Sequence, residues 1–247
     1  DGLPPGGCTD AIMIAIWGLT AERGESDTIE TPFGAVKFTR GALGGWEAVF
    51  LKRSGDVRAR VGASLELGAQ RVIAVFTALS LRPEKSEGAL LAPADVLDQT
   101  RAGPTTFFEG RGVGYVQMTP PFCPQLRAAL LQELPADARV DTIVAACPAR
   151  PITPAEARAW SALGAHAAAW GLAPEWSLAR ELERCYAPLL VVGESTKAAL
   201  SVLENALMGV ENEPKCGCSR LNPGARRVLG DDRRAWVRSG AAAHGDD

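Results

Sequence analysis

The stretch Arg71-Val72-Ile73-Ala74-Val75-Phe76-Thr77 decides the fold class. It is β-branched and apolar without polar alternation, the pattern of a strand covered on both faces. Immediately upstream, Val57–Gly68 carries alanine, arginine and leucine at helical spacing and closes on Gly68, a helix-stopping residue. Further upstream, Ala11–Trp17 reads as a second buried strand, and Ala35–Thr39 with Glu47–Leu51 as a hairpin around the Gly41 to Gly45 turn region. Downstream, helical patterns over Pro124–Glu133, Thr153–Leu163, Pro174–Cys185 and Ser195–Leu207 alternate with strand patterns over Thr142–Ala146 and Pro188–Val192. Thr153-Pro154-Ala155-Glu156 is a capping box with proline at the first helical position. Alternating strands and helices with both faces buried predict an α/β fold: a single domain, one mixed central sheet, helices on both sides. The chain after Pro214 reads as polar and irregular.

Composition narrows the function classes. The 247 residues are 47% hydrophobic and 22% charged, which excludes disordered, collagen-like and disulfide-scaffold chains. Lys and Arg total 26 against 29 Asp and Glu, so there is no basic excess to bind nucleic acid or an anionic membrane surface. The apolar runs fall well short of the roughly 20 residues that span a bilayer. Residues 1–10 lack the basic start and apolar stretch of a signal peptide, so a soluble, cytoplasmic protein is expected. Only His166 and His244 are available, too few for histidine-built zinc sites or most Ser-His-Asp schemes. Of six cysteines, only Cys216 and Cys218 are close in sequence. A metal on that pair would need ligands the sequence does not name, so no metal site is expected and the thiols read as mostly buried and reduced. A strained Cys216–Cys218 disulfide is the alternative.

Several segments, taken in order, resemble the trimeric purine nucleoside phosphorylase family in its 5'-methylthioadenosine phosphorylase branch. They include Thr31-Pro32-Phe33-Gly34, Phe50-Leu51-Lys52-Arg53, Ser80-Leu81-Arg82-Pro83-Glu84 and Pro121-Phe122-Cys123-Pro124-Gln125-Leu126-Arg127. Pro174-Glu175, Leu178-Ala179-Arg180-Glu181 and Cys185-Tyr186-Ala187 form the closest stretch, and Cys216-Gly217-Cys218 matches a cysteine pair of this branch. The resemblance covers about residues 11–225, leaving 226–247 as a polar C-terminal tail. It implies reversible phosphorolysis: phosphate attacks the anomeric carbon of a purine nucleoside through an oxocarbenium-like transition state while the base departs from the opposite face. It also implies no cofactor beyond inorganic phosphate as co-substrate, and assembly as a homotrimer or with a related subunit.

The resemblance also assigns site residues, and there the chain departs from the family. Trp17-Gly18-Leu19-Thr20 stands where a glycine-rich phosphate loop is found, leaving the Thr20 hydroxyl one place late. Arg53 keeps the phosphate-site arginine, but Ser54 replaces the histidine after it. Thr77 ends its strand as the third phosphate contact. Trp170 takes the place of the methionine under the ribose and Gly171 follows it, so both are expected to face the nucleoside. Arg150 survives in a rewritten segment in which Pro151 replaces an aromatic residue. Gly193-Glu194-Ser195-Thr196 replaces a motif with two aspartates, which makes Glu194 the acid expected to share a proton with the departing purine. Two readings follow: a phosphorylase with an altered site, or a catalytically impaired relative that binds nucleosides or serves as an assembly subunit. A phosphate-free hydrolase is a third reading, disfavoured because no water-activating base is evident.

Overall fold

The computed structural model describes residues 13–20, 24–53, 55–82, 87–100, 103–109, 116–138, 142–193 and 196–241. Among these residues ten strands form one sheet: β1 (Met13–Trp17), β2 (Ser26–Thr31), β3 (Gly34–Leu43), β4 (Trp46–Leu51), β5 (Ala69–Ser80), β6 (Leu90–Leu91), β7 (Asp95–Asp98), β8 (Ile143–Cys147), β9 (Ala167–Trp170) and β10 (Cys185–Val192). Their order is β2-β3-β4-β1-β5-β9-β8-β7, with β10 on β5 and β6 on β10. The six strand segments read from the sequence correspond to β1, β3, β4, β5, β8 and β10 and share this single sheet.

Among the described residues seven α-helices cover it: α1 (Val57–Glu66), α2 (Pro124–Glu133), α3 (Pro154–Ala162), α4 (Glu175–Glu181), α5 (Lys197–Met208), α6 (Pro223–Leu229) and α7 (Arg233–Ala241). The alternation of β5 separates the two layers. Val72, Ala74 and Phe76 pack with α1, α4, α6 and α7, whereas Ile73 and Val75 pack with α2 and α5. Local signals read from the sequence hold closely. The β3–β4 hairpin turns at Gly44 and Gly45, both at positive φ as a tight primed turn requires. Thr153 and Glu156 form the reciprocal capping box that starts α3.

The expectation of an irregular polar segment after Pro214 is corrected. Residues 223–229 and 233–241 are helical, and Trp236 and Val237 are fully buried in the main core. Their anchor is Glu183, a buried carboxylate that accepts hydrogen bonds from Arg226 and Arg233 as well as from the backbone of Asn222. The segment looks polar because its arginines grip a buried acid that lies 43 and 50 residues earlier in the sequence. The two short strands β6 and β7 and the outer strand β2 carry too few apolar residues to stand out as patterns.

Candidate active site

β5 is contacted along both edges, and its pairing leaves a gap on one of them. β10 runs beside it from Arg71 to Ala78. On the opposite edge β1 pairs only as far as Ala74, and β9 arrives antiparallel at Ala78. Val75, Phe76 and Thr77 lie between, where the C-terminal ends of β1 and β9 point at each other. Chain crossing this gap must pass close to the β5 backbone. Gly18, just after β1, does so with φ +85°, and a Cβ there would stand 2.2 Å from the Val75 carbonyl oxygen. Gly171, just after β9, also has positive φ, and a Cβ there would meet nothing within 4 Å among the described residues. Ligands of α/β sheets commonly bind where strand ends diverge in this way.

Arg53, two residues beyond β4, closes the gap from one side. Its guanidinium carbon sits over the Phe76 ring, 3.4 Å from the ring centroid, and close to Gly18. Behind it is Glu175, the first residue of α4, with no solvent exposure. The Arg53 guanidinium donates to Glu175 Oε1 at 3.3 Å, Arg60 to Oε2 at 2.7 Å, and the Tyr186 hydroxyl to Oε1 at 2.9 Å. Two guanidinium groups on one carboxylate leave an excess of one positive charge. Arg60 is buried, with Trp17 beside it, while Arg53 keeps 24% of its side chain exposed, so the excess presents itself at Arg53. Burial lowers the Arg53 pKa and the Glu175 charge opposes that shift; an arginine stays cationic under both. Burial likewise raises the Tyr186 pKa well above the usual range, with the Glu175 charge adding to it, so the phenol remains a donor.

The sequence-derived site residues divide. Arg53, Thr77 and Gly171 lie around the gap, although Thr77, half-buried, has the parity of Val75 and faces the α2–α5 side, while Arg53 stacks on Phe76 from the other face. Thr20 lines a narrow crevice with Ser26, Lys37 and Lys52. Trp170 turns away from the gap. Its indole N–H donates to the Arg150 carbonyl at 2.8 Å, and its ring packs by Cys147 and Trp160. Arg150 is itself held by Glu156, whose carboxyl is pulled down to about 2 by that arginine and by the Thr153 backbone. Glu194 lies outside the described residues. Its neighbour Gly193 donates to the Ala78 carbonyl at 3.0 Å, at the end of β10.

Sequence reasoning missed four groups. Arg60 stands in the helix read over 57–68, and Glu175 and Tyr186 in the stretch of closest family resemblance, all without an assigned site role; only the tertiary fold places them behind Arg53. Glu87 is the fourth, an exposed carboxylate whose Cγ would lie 2.7 Å from a Cβ at Gly193. Its only sequence signal is the turn before Gly88. A depression of about 760 Å³ lies between Ser80–Arg82 and α3. It is open, and Arg82 and Arg158 are among the residues that line it.

Residues 12–214 match the family described as the phosphorylase superfamily. The chain is 35% identical over 199 residues to the 6-oxopurine nucleoside phosphorylase of Pyrococcus furiosus, covering 72% of this chain and 75% of that protein. It is 31% identical to a probable S-methyl-5'-thioinosine phosphorylase of Methanopyrus kandleri, covering 80% of this chain and 91% of the relative. In fold it is similar to a methylthioadenosine phosphorylase crystal structure from an antarctic soil metagenomic library, with a TM-score of 0.76, 22% identity, and 94% and 98% of the two chains covered. The chain belongs to the phosphorylase superfamily, as its motifs implied.

Proposed function

We propose that the protein cleaves the glycosidic bond of a purine nucleoside with phosphate, and that Arg53 holds the phosphate. The observation that carries this is the charge excess of the Arg53–Glu175–Arg60 cluster at the break in β5 pairing. A dianion at the gap would meet a guanidinium already oriented by Phe76 and Glu175, so little side-chain freedom is lost on binding. A phosphate oxygen then attacks C1' of the sugar as the C1'–N bond breaks, and the bond's electron pair leaves with the purine. A carboxylic acid at the end of β10 supplies the proton that neutralises the base. Glu194 takes that role in this reading, and Thr77 and Gly171 border the sugar. Relatives named for 6-oxopurine nucleosides and for methylthio-nucleosides support a purine substrate; this reading takes phosphate as co-substrate and invokes no cofactor.

A nucleoside-binding or assembly role is the second reading, favoured by Trp170 being tied to Arg150 and turned from the gap. Homotrimeric assembly, or assembly with a related subunit, belongs to the proposal. Exposed Leu79 and Leu163, next in the chain to the lining of the broad depression, supply an apolar surface for it. Incubating the pure protein with inosine, methylthioinosine, adenosine and methylthioadenosine, with and without phosphate, tests the activity by release of free base. Phosphate-dependent release supports the enzyme. Tight nucleoside binding without release from any of them overturns it in favour of the second reading.

A further inference from the structure

Cys123, Cys185, Cys216 and Cys218 are scattered over 96 positions of sequence, yet their four sulfurs all lie within 4.8 Å of one another. Cys123 is the N-cap of α2, Cys185 opens β10, and Cys216 and Cys218 belong to the segment after α5. Three are buried and Cys216 is half-buried. All four are free thiols, with 3.4 Å between the sulfurs of Cys185 and Cys216. A tetrahedral zinc ion with sulfur at about 2.3 Å sets its ligands about 3.8 Å apart, which matches a cluster in which every sulfur is near every other. The surroundings suit a negative centre. The buried Arg180 guanidinium stands beside Cys218, Cys123 and Cys185 and is held in place by the Gln117 carbonyl. The N-terminus of α2 adds its partial positive charge at Cys123.

We propose that these four cysteines form a tetrathiolate site for a soft divalent cation, zinc in the first place. The absence of metal ligands expected from the sequence arose because Cys216 and Cys218 find their partners on two distant elements. The site is separate from the proposed active site. Cys185 and Val192 are the opposite ends of β10, about 23 Å apart at strand rise. Its effect is structural: it staples the segment after α5 to the sheet and to α2. Two weaker contacts already dock that segment, Arg71 to the Asn212 carbonyl and the Lys215 N–H to the Gln125 side chain. Closing a loop in this way stabilises a fold because the unfolded chain presents no preformed site.

The test uses the full chain purified under reducing conditions without a metal-affinity step. Metal analysis after dialysis should find one zinc per chain. A thiol reagent should then leave these four cysteines unmodified until a strong chelator is added, and the chelator should lower Tm. Cobalt(II) loaded in place of zinc should give the visible bands of a tetrahedral thiolate complex, and Cys216→Ser/Cys218→Ser should lose both the bands and the bound metal. If that variant fails to fold, the thiol-protection and cobalt measurements on the unmutated chain decide alone. The proposal is overturned if the reduced chain, offered zinc alone, binds none. It is equally overturned if peptide mapping of the native protein finds the four cysteines joined in disulfides.

Discussion

Replacing Glu175 by Gln tests whether the cluster behind Arg53 is held together by charge. The carboxylate has no solvent exposure and accepts from Arg53, Arg60 and Tyr186. Glutamine keeps the shape but removes the only negative charge between two guanidinium groups, and it turns an amide NH2 toward one of them. Breaking a buried pair from one side costs about 3–5 kcal/mol, because the surviving charges stay buried without compensation. At about 2–4 °C per kcal/mol for a chain of this size, Tm should fall by roughly 6–20 °C. Urea unfolding followed by circular dichroism should show a lower midpoint with an unchanged slope. Combining Glu175→Gln with Arg60→Met should recover part of the loss, since a buried ion pair replaced by apolar groups is often near neutral. A loss below about 1 kcal/mol for Glu175→Gln would refute the reasoning, because it would mean that solvent screens the cluster and that Arg53 is not oriented by it.

Further outcomes are expected. Phosphate should raise Tm in proportion to occupancy, and Arg53→Ala should abolish that rise while costing about 1 kcal/mol of baseline stability through its bond to Glu175. Glu194→Gln should lower turnover by about a hundredfold or more, with wild-type cleavage weakening at high pH as the carboxyl proton is lost; unchanged turnover would shift attention to Glu87, tested by Glu87→Gln. Gly18→Ala should destabilise by about 2–4 kcal/mol, since its φ of +85° and the Val75 carbonyl leave no room for a Cβ; a Tm within a degree of wild type would contradict the close approach. Burial raises the Glu181 carboxyl pKa to about 7 despite the Phe107 N–H it accepts. The folded state therefore holds a proton that the unfolded chain releases near 4.5, so stability should fall by up to about 3 kcal/mol as pH rises from 4.5 to 7. Glu181→Gln should flatten that slope in a pH series of urea melts.

What the sequence determined by itself was local or periodic. The both-face apolar run at 71–77, the glycine pair of the β3–β4 turn and the Thr153 capping box each encode their structure within a few residues, through side-chain period, positive φ and reciprocal hydrogen bonds. Together they sufficed for an α/β sheet covered on both sides, and the ordered motifs carried the family. The site was legible only in part: Arg53 could be named, whereas its orientation on Phe76 and Glu175 could not. Side-chain period shows that a strand is buried but not which strands flank it, so the gap opposite Val75–Thr77 exists only once β1 and β9 share an edge of β5. The same holds for Glu183 under Arg226 and Arg233, and for the four cysteines. A charge or thiol in a sequence looks solvated or inert until the fold excludes water around it and brings its partner across a long loop, and that distance-dependent energy is what only the tertiary structure decided.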